Sequence, residues 1–140
     1  TINNSNDLRT LVTTATGQDS VVALREFSLS GESGSSTVLR MAINRPGTAG
    51  ITPTAATLNK LSPSAPNAAA SAVSSWGTQP VLAATHVMVP AFNTFGGVYT
   101  WMAQPGGEVI VGSQGAVANL SFRGVSGTPV VSGHIIFEEL

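Results

Sequence analysis

The chain has no cysteine, and only thirteen of its 140 residues are Asp, Glu, Lys or Arg. The first absence excludes a disulfide framework and any cysteine-ligated metal, and accords with synthesis in a reducing compartment. The second is more informative. Charged residues make up 9% of the sequence, against roughly a quarter in ordinary globular domains. A folded monomer of 14.2 kDa exposes on the order of 6800 Å², so charges are spread at about one per 520 Å². Charges are costly to bury at subunit contacts, so a neutral exterior suits a permanent assembly better than a free monomer. A secreted β-domain with a hydroxyl-rich surface is the other reading of the same composition.

Basic character is missing too. The six cations, Arg9, Arg25, Arg40, Arg45, Lys60 and Arg123, are scattered, the net charge is −1, and no electrostatic footprint for nucleic acid emerges. Long apolar runs are absent. The 47 residues 61–107 carry no Asp, Glu, Lys or Arg, but Pro63, Pro66, Pro80, Pro90 and Pro105 and many Ser and Asn interrupt them, so no membrane span is expected. The stretch TINNSNDLRT has neither a basic nor an apolar leader region, and no signal peptide is expected in it.

Catalytic constellations are equally thin. His86 and His134 are the only histidines and stand far apart in sequence, so a metal site of convergent histidines and carboxylates is not expected, nor any cofactor. No Gly-x-Ser-x-Gly elbow occurs; GESGSS has another order and reads as a loop. Glu32 and Glu108 remain open as a carboxylate pair for glycoside hydrolysis, since sequence does not fix their separation. No catalytic, cofactor-binding or metal residue is assigned, and an enzyme is not expected.

What the sequence does contain is hydroxyl groups and short alternating segments. Ser and Thr number 31 and supply most of the polarity. VVALREFSLSG, TVLRMAINRPG, ATHVMVP, GVYTWMA, EVIVG, AVANLSFRG and VVSGHIIFEEL, punctuated by Gly and Pro, predict an all-β sandwich or jelly roll. In the second segment Leu39, Met41 and Ile43 share an inward face and Arg40 points out. The first is harder to phase. NAAASAVSSWGTQP, read as extended and ending at Trp76, places small residues on both faces and permits close approach of a sheet or subunit.

VYTWMAQPGGEVIV reads as a hairpin about a Pro-Gly-Gly turn, with Pro105 and Gly106 set for type II geometry. One face carries Val98, Thr100 and Met102 and the other Tyr99, Trp101 and Ala103. Both faces are apolar enough to be covered, one by a core and the other by a second sheet or a sister subunit. Near the amino end, Leu8, Leu11, Val12 and Ala15 fall at helical spacing, with Ser5, Asn6 or Asp7 as cap and Gly17 as stop. Four threonines argue instead for an extended arm along a neighbour. Residues 1–19 are therefore read as an arm or short helix and 20–140 as the jelly-roll domain, with Leu8, Leu11, Val12, Tyr99 and Trp101 as interface residues.

The succession TPTAATLNKLSPSAPNAAASAVSSW, GTQPVL, GGVYTWMAQPGGEVIVGSQGAVANLSFRG and SGHIIFEE resembles a group of small tailed-phage virion proteins of jelly-roll fold that sit on capsids as decoration, or cement, proteins. The resemblance covers roughly residues 20 to 139. It implies a homotrimer placed where capsomers meet on the outside of a virion, bound to the major capsid protein and made in the host cytoplasm. A second reading rests on Phe92 and Phe95, which flank Asn93 and Thr94 in a predicted loop before Gly96 and Gly97. Exposed aromatic loops stack on sugars or anchor in a partner's pocket, which would make the chain a carbohydrate-binding or receptor-binding fibre-tip module. The alternative for both rings is closure of one end of the core.

Overall fold

Alternation of apolar and polar side chains builds strands throughout, and the computed structural model describes residues 9–12, 21–48, 50–68, 70–111, 119–125 and 130–140. They form β1 (Arg9–Val12), β2 (Val22–Glu32), β3 (Val38–Thr48), β4 (Ile51–Ala56), β5 (Ser71–Thr78), β6 (Val81–Met88), β7 (Ala91–Asn93), β8 (Phe95–Met102), β9 (Val109–Val111), β10 (Asn119–Gly124) and β11 (Val131–Glu139). No helix occurs among the described residues. A larger sheet runs β4-β5-β1-β10-β3-β6, with β7 on a further stretch of β3, and a smaller one runs β11-β2-β8, with β9 also on β2. Every pairing is antiparallel. The chain is an all-β sandwich.

The sheets meet through inward side chains. Phe27 of β2 and Phe122 of β10, both fully buried, contact edge to face at 5.4 Å between ring centroids. Leu24, Leu39, Met41, Ile43 and Leu120 are buried around them, each apolar side chain contributing about 1.5–3 kcal/mol. The inward trio Leu39, Met41 and Ile43 and the outward Arg40 follow the alternation read from the sequence. In β2 the alternation slips: Val22 and Leu24 face inward, then Phe27 and Leu29, because Arg25 is an extra residue opposite the Ile136/Phe137 step of β11. This bulge is why the phase of the segment is obscure in sequence.

The segment around the Pro-Gly-Gly turn is not a hairpin. β8 pairs with β2 from Glu32 down to Glu26, and β9 continues along the same edge from Leu24 to Val22. The two are one interrupted strand, and residues 103–108 loop out beside the Arg25 bulge. The turn itself has the expected geometry: the Gly107 amide donates to the Gln104 carbonyl at 2.8 Å, and Gly106 takes φ 79°, the type II position that favours glycine. Such a turn makes a hairpin only if the flanking strands pair with each other, and here each pairs with β2 instead.

Near the amino end, helical spacing does not decide the structure of the described residues. Arg9–Val12 is a strand between β5 and β10, with Leu11 opposite both Ala72 and Leu120. The remainder of the 1–19 segment, Leu8 included, lies outside the described residues. Two strands arise where the sequence suggested none: β4, which pairs with β5, and the short β7, which places Phe92 opposite Leu39. At the β4–β5 edge, Trp76 lies over Gly50, where a Cβ would come within 2.5 Å of the indole.

Candidate functional site

β8 closes one end of the smaller sheet's strand order, and its two faces differ sharply. Tyr99 and Trp101 turn inward and stack on Phe27 at centroid distances of 5.9 and 5.5 Å. The alternate residues Val98 and Met102 are 65% and 64% exposed, and Phe95 at the start of the strand is 64% exposed. Ile110 of β9 extends the apolar stripe at 41% exposure. An exposed apolar edge strand is a template for association unless something covers it. The interface role read for Tyr99 and Trp101 from sequence therefore meets a geometry in which their rings serve the chain's own core, while their strand neighbours face outward.

Behind that stripe lies a polar field on β2 and β11. Ser28 Oγ and Thr100 Oγ1 are 3.1 Å apart, His134 Nε2 is 3.0 Å from Glu26 Oε1, and the Ser132 hydroxyl donates to Glu32. Register explains the grouping: His134, Ser28 and Thr100 are successive cross-strand partners, as are Ile136, Glu26 and Met102.

The Arg25 bulge organises the other end. Its guanidinium pairs with Glu108 in the looped-out segment and with Glu138 on β11, Nε donating to Glu138 Oε2 at 2.9 Å. Arg45 of the larger sheet donates to the Ile110 carbonyl at 2.8 Å. The Glu108 carboxyl is held below its usual range, first by its own backbone amide, then by that of Gly106 and by Arg25, with desolvation opposing. This cluster fastens the β8–β9 connection.

Phe92 and Phe95 part company. Phe92 is buried in the core cluster, whereas Phe95 projects from the end of the sandwich. Thr94 between them is buried, and its hydroxyl donates to the Ser35 carbonyl at 2.7 Å and accepts from the Thr37 amide at 3.0 Å. The backbone of Asn93 and Thr94 lies so close to Gly31 and Gly97 that a Cβ at either would come within 2.4 Å of a carbonyl oxygen. Phe95 is thus displayed from a tightly held turn. Sequence gave no signal for the Thr94 clamp beyond the neighbouring glycines.

Leu11 and Val12 take positions in the larger sheet, where their backbones pair on both sides. His86 sits on β6 with Nδ1 2.9 Å from Asn44 Oδ1, while His134 lies in the other sheet. Among the described residues no three His, Asp or Glu side chains gather as metal ligands. Glu32 pairs opposite Phe95, and Glu108 sits beside Arg25 at the other end of β2. That is about 20 Å of strand, beyond the roughly 5–9.5 Å of a glycosidase carboxylate pair. Comparison with protein-family models, with curated proteins and with solved structures finds no match.

Proposed function

We propose that this chain is a non-enzymatic structural subunit of a phage particle, a trimeric cement or decoration protein that binds the major capsid protein on the outside of the assembled shell. The observation that carries the reading is the exposed Phe95, Val98, Met102 and Ile110 stripe on a sheet edge in a chain with only thirteen charged residues. Such a surface gains most by being covered. The mechanism is mass action: a subunit that binds only the assembled lattice adds its binding free energy to that state. Three linked contacts per trimer multiply weak individual ones. Light scattering at micromolar concentration, with cosedimentation on DNA-emptied tailed-phage capsids, tests it. A trimer that saturates capsids is expected; a stable monomer that stays in the supernatant overturns the reading.

One observation favours a second reading, a carbohydrate-binding or receptor-binding fibre-tip module: the exposed, firmly held Phe95. Burial of Phe92 leaves a single ring where a stacking platform uses more. Glycan binding lost on Phe95→Ala, with the trimer intact, would move the assignment to that class.

A further inference from the structure

Few as they are, the charges of the described residues are segregated. All five described glutamates belong to the smaller sheet or its β8–β9 connection: Glu26 and Glu32 on β2, Glu108 in the loop, and Glu138 and Glu139 on β11. The larger sheet has no described acid. It carries Arg40 and Arg45 on β3 and Arg123 on β10, and Arg9 lies on β1. Arg25, the one cation of the smaller sheet, is spent on Glu108 and Glu138. Arg45 and Lys60 donate to the carbonyls of Ile110 and Ala65. Arg40 and Arg123, both exposed, make no hydrogen bond or ion pair among the described residues.

The register brings these two together. Arg123 is the cross-strand partner of Ala42, and the Val125 amide donates to the Arg40 carbonyl at 2.8 Å. Both side chains therefore stand on the outward face of the larger sheet as diagonal neighbours, about 7–8 Å apart at their Cα atoms. They form a positive patch with no acid among the described residues of the same sheet. Val38 and Val125, 70% and 52% exposed, flank them.

The opposite face of the sandwich carries the opposite charge. Glu26 and Glu32, about 20 Å apart along β2, face outward at the two ends of its pairing with β8, with His134 and Ser132 as their partners among the described residues, beside the exposed Val98 and Met102. Taking the chain as an assembly subunit, as proposed above, we infer that the partner of the Arg40–Arg123 patch is a second copy of this chain, seated through its Glu26–Glu32 face. Each patch offers the charge that the other lacks, and each is rimmed by apolar side chains. A contact between two different faces is heterologous: successive copies close a ring where the rotation permits and extend as an open stack where it does not. The complementary fields set orientation and accelerate encounter, and the apolar rims exclude water.

Charge-swap variants test this in about 50 mM salt, where screening is weak. Arg40→Glu with Arg123→Glu, or Glu26→Lys with Glu32→Lys, should turn the oligomer into monomer by light scattering at concentrations where the wild type is fully assembled. The quadruple variant, in which the charge of both faces is reversed, should recover the wild-type mass. Circular dichroism and thermal melting establish that each variant is folded, and Arg40→Gln with Arg123→Gln provides a milder pair that should weaken assembly at least tenfold. Wild-type mass in both double variants overturns the inference and leaves the assembly reading standing. A folded quadruple variant that stays monomeric also overturns it. A monomeric wild-type protein sinks the assembly reading itself, and this inference with it.

Discussion

Phe27 is where the smaller sheet meets the larger: it stacks on Tyr99 and Trp101 along its own sheet and meets Phe122 across the core. Trp101 is only half-buried, so Trp101→Ala should cost about 2–3 kcal/mol, less than the 3–5 of a fully enclosed ring. Urea unfolding measures this, and an unchanged midpoint would mean that the ring contributes nothing to the core. Glu108 gives a pH-dependent expectation. Its folded pKa is depressed by its own amide, the Gly106 amide and Arg25. The resulting stabilisation is present above the unfolded value of about 4.3 and is lost as pH falls through the folded pKa. Wild type should thus exceed Glu108→Gln in stability at neutral pH, and the two should converge in acid. Denaturant midpoints across that range check the sign; a constant difference would mean that the carboxylate is not responsible.

At the scale of elements, β1 matters more than its four residues suggest, because it bridges β5 and β10. The β4–β5 pair reaches the rest of the larger sheet only through it among the described pairings. Deletion of residues 1–12 would leave unpaired backbone on two strands, each lost hydrogen bond costing about 0.5–1.5 kcal/mol. Such a truncated chain should lose its cooperative thermal transition or melt far lower, where removal of a merely appended arm would leave melting unchanged. The interrupted β8–β9 strand makes a related point. β2 is paired on both edges, with β11 on one and β8 and β9 on the other, so the Arg25 bulge and the 103–108 loop accommodate each other. Neither is a free hairpin element.

Viewed whole, the molecule is a two-faced plate: the described acids on the smaller sheet or its β8–β9 connection, Arg40 and Arg123 without a partner among the described residues on the larger, and an apolar edge along β8. Assembly held by complementary faces should weaken as salt shortens the screening length from about 10 Å at 0.1 M to about 3 Å at 1 M. An assembly held by the apolar edge alone would tighten or stay constant. Sedimentation equilibrium at low and high sodium chloride distinguishes the two, and an association constant that rises with salt would deny the charged faces any attractive role.

The sequence by itself determined the class of the molecule and much of its local geometry. The alternation of Leu39, Met41 and Ile43, the Pro105–Gly106 turn and the opposite facing of Trp101 and Met102 all follow from period-two backbone geometry and proline and glycine stereochemistry, which act over a few residues. Tertiary pairing decided the rest. Leu8, Leu11 and Val12 fit a helical stripe, yet Leu11 and Val12 lie in a strand because β5 and β10 offer hydrogen bonds on both sides. The segment read as a hairpin became one interrupted strand because β2 satisfies β8 and β9 separately. Arg40 and Arg123 are 83 residues apart in the chain, and only antiparallel register makes them neighbours. Local stereochemistry is written in adjacent residues, whereas the choice of partner is a competition among distant strands that no single segment encodes.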